Sequence, residues 1–413
     1  MAKTIWFIND YAGSRYHGME FRNYYFAKEF VKLGYKVYII SASYMHLFKK
    51  LPKTKGNFTF EEIDGINYIW VKVPRYGESN DKKRVLKWFV FSAKLLFLPF
   101  FKMDKPDYII ASPMATFLTL PAYRLAKKFN AKFIFEVKDI WPLSIIELGN
   151  INPKNPLILA MSWSEKFAVK KADLIVSSLQ NYDKHLKQDL GIDRDFLWIN
   201  NGIDISEISK AEPLPKDIKQ KIPKDKFIIG YTGTIGIANN LEVLCKAAVK
   251  LKDNKNILFL IVGDGKEKEN LVKKYGKLGN ILFIEAIAKN QVPSMLKLFD
   301  VSYIGLRKEK LFKYGVSPNK LFDYMINEKP ILYAVDSGES NIVKSAKCGI
   351  SVEPENEEAI VRAILKFYSL DKKSLEDMGK NAKEYVLNNF TYDKLAKKYI
   401  ENLEKIGENS GKV

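Results

Sequence analysis

A lysine and an aspartate three residues apart, just after a serine–proline pair, could together hold a phosphorylated ligand. They lie in Gly315-Val-Ser-Pro-Asn-Lys-Leu-Phe-Asp-Tyr-Met-Ile-Asn-Glu-Lys-Pro-Ile-Leu332. Ser317 and Pro318 read as a helix start, serine as the cap and proline at the first helical position. The helix N-terminus formed by Ser317, Asn319, Lys320 and Leu321 would offer free N–H groups and a positive dipole end to a phosphate. Lys320 adds charge, and Asp323, one turn further on, can accept hydrogen bonds from a ribose. The stretch reads as a holder for a nucleotide diphosphate. The alternative is an ordinary βα connection capped by Ser-Pro.

Gly233 and Gly236 form a second candidate, in Thr232-Gly233-Thr234-Ile235-Gly236. Glycine lets a backbone approach a diphosphate closely, and a helix start favours the anion. The spacing is not the dinucleotide fingerprint Gly-x-Gly-x-x-Gly, so a tight βα turn without ligand explains it equally well. Gly263-Asp264-Gly265 repeats the placement, and Arg307, after Val301–Leu306, could supply further positive charge. No metal and no cofactor are expected. His17, His46 and His185 lack clustered ligands, and Cys245 and Cys348 lack metal-ligand spacing.

Elements must place these groups. Apolar runs alternate with helical patterns throughout, which predicts an α/β fold with mainly parallel sheets. Strands are expected at 4–9, 36–41, 107–112, 132–136 and 173–177, and residues 197–204 end the first half. A second set follows at 226–231, 257–262, 281–285, 301–306 and 331–335. Each glycine-rich loop follows a strand and precedes a helix, so the loops would line a crevice at the C-terminal sheet edge. A long helical stretch from Glu376 to Glu404 breaks near Thr391.

A chain of 413 residues that is 47% hydrophobic supports two cores. Two cysteines make no disulfide framework and fit a reducing interior. The opening residues run straight into a strand, so no secretory signal is expected. The formal charge is +19, and residues 1–102 hold 18 Lys and Arg against 8 Asp and Glu. Such a balance suits nucleic acid or an anionic membrane. Lysine enrichment from an AT-rich genome is a third explanation. Nucleic acid is not expected, because no recognition helix, zinc knuckle or aromatic-basic module accompanies the charge. The segment 84–102 favours the membrane. Arg84, Lys87 and Lys94 fall near one helical stripe, with aromatic and aliphatic residues around most of the rest. Two lysines interrupt the apolar run, so a helix lying in the lipid interface fits better than a spanning one. The alternative is an internal helix covering a sheet.

The 315–332 segment resembles the donor-site segment of the retaining glycosyltransferases of family four. It is nearest to the subgroup building bacterial cell-surface polysaccharides (capsule, O-antigen), which reads Pro-Ser/Asn-Lys-Leu-Phe-Glu-Tyr-Met-x-x-Gly-Lys-Pro. Two departures stand out: the second of the family's paired glutamates is Asp323 here, and Gly315 occupies the place of the first. Asn239 and Asn240 stand where many members carry an Arg and a Lys. The resemblance implies a GT-B fold, two Rossmann-like parallel-sheet domains facing a central cleft. The expected domains are an acceptor-binding one over 1–203, a nucleotide-sugar-binding one over 204–390, and a C-terminal helix over 391–413 crossing back toward the first. Asn201-Gly202-Ile203-Asp204 resembles the family's domain crossing.

Residue by residue, the resemblance implies donor contacts from Gly233, Gly236, Ser317, Asn319, Lys320, Leu321 and Asp323, with Arg307 adding charge. Gly18 resembles the glycine that approaches the donor phosphates, and His17 beside it could face donor or acceptor, or solvent. Phe135-Glu136-Val137-Lys138-Asp139-Ile140-Trp141-Pro142 resembles the subgroup's Glu-x-x-Asp-x-Trp-Pro. It implies acceptor contacts from Glu136, Asp139 and Trp141. Asp139 would orient the acceptor hydroxyl, or else cap the next helix; Glu136 would face the acceptor, or else serve as a strand-end ion-pair partner. The implied catalytic set is Asp139, Lys320 and Asp323. The implied reaction is metal-independent transfer of a hexose or N-acetylhexosamine from a UDP-sugar to a lipid-linked saccharide. It would run in the cytoplasm, on the inner face of the membrane, with residues 84–102 at the lipid. The rivals are a nucleotide-sugar epimerase of the same fold and a non-catalytic basic protein binding membrane or nucleic acid.

Overall fold

The structure, a computed structural model, describes residues 2–77, 81–208 and 211–408. The chain divides into two compact units. One comprises the residues up to Asn200 together with those from Tyr392, and the other comprises Asn201–Thr391.

The first unit is built on eight strands: β1 (Thr4–Ile8), β2 (Lys36–Ala42), β3 (Phe58–Ile63), β4 (Ile66–Val71), β5 (Tyr108–Ala111), β6 (Lys132–Val137), β7 (Leu174–Ser177) and β8 (Leu197–Trp198). Their order is β3-β4-β2-β1-β5-β6-β7-β8. All neighbours run parallel except β3 and β4. Continuous apolar runs such as Ile5-Trp6-Phe7-Ile8 are what a parallel strand needs, because helices bury both its faces; all four side chains are fully buried. The β3–β4 hairpin was not among the expected strands. It turns at Asp64-Gly65, with φ of 52° and 77°, as a two-residue hairpin connection requires.

The second unit carries six parallel strands: β9 (Phe227–Thr232), β10 (Ile257–Val262), β11 (Ile281–Ile284), β12 (Val301–Gly305), β13 (Ile331–Ala334) and β14 (Gly349–Val352). The order β11-β10-β9-β12-β13-β14 reverses direction between β9 and β12. At such a switch point the two connections leave in opposite directions, and a crevice opens above the strand ends. The loops carrying Gly233 and Arg307 leave from those two strands. In the first unit the switch falls between β1 and β5, where the loop beginning at Asn9 starts.

One segment follows the expected break near Thr391, and another departs from its expected orientation. The C-terminal stretch breaks at Phe390-Thr391, into helices Lys372–Asn389 and Tyr392–Glu408. The second of these is a core element of the first unit. Tyr392 stacks on Tyr25 at 4.8 Å, and Tyr399 packs edge-on against Phe26 and Phe30 at 5.6 Å.

The segment 84–102 is the helix Lys83–Leu95 followed by a short turn at Phe100–Lys102. Its charged stripe does not form the polar outer edge. Lys87 is fully buried, with Nζ donating to the Asp10 carbonyl at 2.8 Å and pairing with the Asp10 carboxylate at 3.2 Å. Arg84 donates to the Tyr11 hydroxyl at 2.7 Å. Two strong partners on the β1 loop outweigh the solvation these cations would gain outside. Leu86, Phe89, Leu96, Phe97 and Phe101 are left exposed instead. No described helix is long and apolar enough to cross a membrane.

Candidate active site

In the second unit Gly233 and Lys320, two of the residues expected to hold a diphosphate, lie together beside the switch point. Gly233 follows β9 with φ of 137°, a conformation side chains avoid, and lies against Lys320, whose Nζ is 3.3 Å from where a Cβ would stand. Lys320 Nζ donates to the Tyr231 hydroxyl at 2.6 Å and to Asn239 Oδ1 at 2.8 Å. It also sits 4.2 Å from the Tyr231 ring centroid. Both partners are neutral, and among the described residues no carboxylate lies within ion-pairing distance of it. Burial without a counter-charge pushes the Lys320 ammonium down to about 7. An arriving anion would supply the missing charge.

The helix carrying Lys320 runs from Asn319 to Ile326, so its start lies later than the sequence suggested. Pro318, extended at φ −72° and ψ 122°, occupies the cap position, and its carbonyl accepts from Leu321 N–H at 2.9 Å. Ser317 is not the cap. Its hydroxyl accepts from Asn201 N–H at 3.1 Å, and its carbonyl accepts from the Asn201 amide at 2.9 Å. Among the described residues no backbone partner takes the N–H groups of Asn319 and Lys320 at this terminus. Leu321 contributes no such group, and its side chain lies in the core.

Asp323 follows one turn later and is partly exposed. No hydrogen bond to its carboxylate exists among the described residues. Burial pushes it up to about 6; Lys289 opposes the shift, and Glu207 adds to it. Tyr324, next in sequence, is fully buried, and its hydroxyl accepts from Thr232 N–H at 2.9 Å. It pins this helix to the end of β9. Tyr231 and Tyr324 are the supporting residues the sequence reading missed; no local motif marks an aromatic whose partner lies about 90 residues away.

The neighbouring loops close on one another through glycine. A Cβ at Gly263 would stand 1.9 Å from the Gly233 carbonyl oxygen, and one at Gly265 would stand 2.4 Å from that of Ile235. Gly236 is different: it is extended, and a Cβ there would make only ordinary contacts, with Thr234 at 3.6 Å and Asn239 at 4.0 Å. Arg307 anchors its own loop by its N–H on the Ala238 carbonyl at 3.0 Å, while its side chain lies 3.4 Å from Glu309. Gly315 has φ of 109°. A glutamate in that conformation would be strained.

The first unit places its residues less uniformly. Asp139, just past β6, reaches solvent and accepts no hydrogen bond among the described residues. Surrounding protein raises its carboxyl above the usual range, Lys138 opposes this, and Glu20 reinforces it. Glu20 itself is ion-paired with Lys138. Trp141 is mostly buried, edge-on to Trp88 at 5.8 Å.

Glu136 is fully buried and saturated: Oε1 accepts from Arg22 Nε and Nη2 at 3.2 and 3.1 Å, and Oε2 accepts from Ser112 and Asn23 at 2.6 and 3.3 Å. It braces the sheet edge and has no oxygen left for an acceptor. His17 is also buried, bonded to Ser14 Oγ at 2.9 Å and packed on Trp70 at 4.8 Å. Gly18 has φ of 119°, and a Cβ would stand 2.8 Å from the Leu47 carbonyl oxygen. The need for glycine there arises within the unit itself. Among the described residues no group of three or more His, Cys, Asp or Glu could hold a metal ion.

Comparison with known proteins bears on both units. Residues 16–207 match the Glycosyltransferase Family 4 domain, and residues 215–385 match Glycosyl transferases group 1. An uncharacterized glycosyltransferase of Methanocaldococcus jannaschii is 28% identical over 248 residues, which are 58% of this chain and 60% of that protein. The chain thus spans less than two thirds of that relative. The putative colanic acid biosynthesis glycosyl transferase WcaI of Escherichia coli is 24% identical over 90% of this chain and 92% of its own. Among solved structures, Anabaena Alr3699/HepE in complex with UDP and glucose has a TM-score of 0.66 at 14% identity. That likeness covers 97% of this chain and 99% of the Anabaena chain.

Proposed function

The chain is a glycosyltransferase of the group 1, family 4 type with the GT-B fold, and from that premise we propose a specific transfer. A hexose or N-acetylhexosamine moves, with retention and without a metal, from a UDP-sugar to a lipid-linked saccharide of a cell-surface polysaccharide. The Asn201–Thr391 unit takes the donor, and the other unit takes the acceptor. The observation that carries this reading is Lys320, which stands beside Gly233 with only neutral partners among the described residues. A diphosphate at the N–H groups of Asn319 and Lys320 would restore its charge, and Asp323 would accept from the ribose or the sugar. UDP in the Anabaena relative and colanic acid in the Escherichia coli one support the choice of donor and pathway.

The chemistry asked of the protein is mainly placement and stabilisation of charge building on the leaving diphosphate. No carboxylate stands out as a covalent nucleophile, so the leaving oxygen would take the proton of the incoming hydroxyl on the same face. Asp139 would orient that hydroxyl. Calorimetry with UDP and GDP, without added metal, tests the donor half. Micromolar UDP binding that is lost in Asp323→Ala is expected; preference for GDP would change the donor, and no nucleotide binding would end the reading.

The exposed apolar face of Lys83–Leu95 and the following turn supports a peripheral position on the inner face of the cytoplasmic membrane. Leu86, Phe89, Leu96, Phe97 and Phe101 would enter the lipid, with Lys82, Lys83 and Lys102 at the headgroups. Burying one phenylalanine contributes about 1.5–3 kcal/mol. Phe97→Ser/Phe101→Ser is therefore expected to lower partitioning onto anionic vesicles at least ~10-fold, without change in UDP affinity. Unaltered co-sedimentation would remove this surface from the proposal.

A further inference from the structure

Beside Asp139 the first unit has a small recess walled by Met114, Phe135, Trp141 and Glu165. It holds about 200 Å³ of open space, and its enclosed part admits one water-sized group. Glu165, on the helix Pro156–Lys171, is only 3% exposed. His185 Nε2 holds its Oε1 at 2.9 Å, while Nδ1 of the same imidazole meets Asp189 Oδ2 at 2.9 Å. Glu165 Oε2 accepts no hydrogen bond among the described residues. Burial raises the Glu165 carboxyl, against its bond to His185, and the two carboxylates hold His185 above its ordinary value despite burial.

The cations nearby are already engaged. Arg22 pairs with Glu136, Lys87 with Asp10, and Lys138 with Glu20. Arg84 donates to the Tyr11 hydroxyl at 2.7 Å and to Met114 Sδ at 3.1 Å, and lies 5.9 Å from the Trp141 ring. The recess therefore sets two carboxylates, Glu165 and Asp139, and an aromatic wall against this one guanidinium.

We propose that this recess recognises the acceptor sugar through Glu165, a residue no motif marked. One hydroxyl or amino group of the acceptor donates to Glu165 Oε2 and another donates to Asp139, with Trp141 beside the sugar. The terminal acceptor sugar is therefore neutral or amino-bearing; a uronic acid or a phosphosugar would set its own anion against two carboxylates. His185 and Asp189 are positioning residues, aiming Glu165 by holding its other oxygen. The inference rests on the acceptor role proposed for this unit.

The test uses the full chain and three probes, octyl glucoside, octyl glucosaminide and octyl glucuronide. Binding of each is measured by saturation-transfer NMR, with UDP affinity measured in parallel. Wild type is expected to bind the first two at least tenfold more tightly than the glucuronide. Glu165→Gln should narrow that gap to below about threefold and leave UDP affinity within twofold. Asp189→Asn, which keeps an acceptor for Nδ1–H, should retain the discrimination that Asp189→Leu loses. Equal binding of all three probes, binding of none, or an unchanged gap in Glu165→Gln would overturn the proposal. If Glu165→Gln does not fold, the wild-type preference alone decides. Discrimination among the glycosides without any UDP binding would support the recess and overturn the transferase reading instead.

Discussion

Lys320→Met should weaken UDP binding at pH 7 by roughly 10–100-fold and slow turnover by about 10²–10³-fold. The first figure follows from the ~1.5–3 kcal/mol of a hydrogen bond to a charged group. The second follows from the loss of one group stabilising charge on a leaving oxygen. Among the described residues the Lys320 ammonium hydrogen-bonds a phenol and an amide and pairs with no carboxylate, and it is pushed down to about 7. In the free protein it is thus largely neutral above that pH, and a bound diphosphate would return it to the charged form. Binding then takes up a proton, so affinity should fall by up to ~10-fold per unit from pH 7.5 to 9.5, the limit for one proton. Lys320→Arg should bind with a flat profile over that range, because guanidinium stays charged. Calorimetry in buffers of different ionisation enthalpy reads the proton directly; equal profiles for wild type and Lys320→Arg would remove Lys320 from the diphosphate site.

The same lysine sets a stability trend of opposite origin. Its folded value lies below the ordinary 10.5, so the unfolded chain holds the extra proton between about pH 7 and 10.5. The contribution of this group to stability therefore rises with pH through that window. Lys320→Met should fold at least as well as wild type while losing function, a separation that thermal unfolding checks.

Breaking the Arg22–Glu136 pair should be the most destabilising single change in the first unit. Both side chains are essentially inaccessible. The guanidinium also donates to the carbonyls of Asn200 and Ile199 at 2.8 Å each and lies over Phe26 at 4.7 Å. Arg22→Met strands a buried carboxylate, a change worth ~3–5 kcal/mol, or roughly 6–20 °C in melting temperature for a unit of this size. Arg22→Met/Glu136→Leu should recover much of that loss, because removing both charges removes the stranded one. A melting temperature within 2 °C of wild type for Arg22→Met, or a double variant less stable than the single, would show that the pair does not brace this edge.

What could be read from sequence was whatever lay close together in sequence. Ser317 to Asp323 and the glycines after β9 and β10 form local patterns, and the strands behind them are uninterrupted apolar runs. The β3–β4 hairpin left its mark in Asp64-Gly65 between alternating residues and was overlooked. Other features had no local mark. Periodicity around Lys87 showed a stripe but not which side faced the core, since that depends on Asp10, 77 positions earlier. Glu136 looked available for an acceptor until Arg22, 114 positions away, was seen to occupy it. Gly18 was matched to a glycine facing the donor phosphates, yet Leu47 of its own unit already requires it to be glycine. Ser317 lost its capping role to Asn201, beyond any motif window. His185 and Asp189 are one helical turn apart, but only tertiary packing brings them to Glu165 on the helix Pro156–Lys171.

The bridge between Ile203 and Thr391, with Ile203 N–H donating to the Phe390 carbonyl at 2.9 Å, brings the two ends of the Asn201–Thr391 unit side by side. Topologically, that unit is an insert whose entry and exit share one seam, the other unit being formed by residues on either side of it. A segment whose ends meet can be lifted out and replaced as a cassette without stretching either connection. Whatever ligand that unit takes, its preference can therefore be exchanged by design as one block between residues 201 and 391, without cutting the strands β1 to β8.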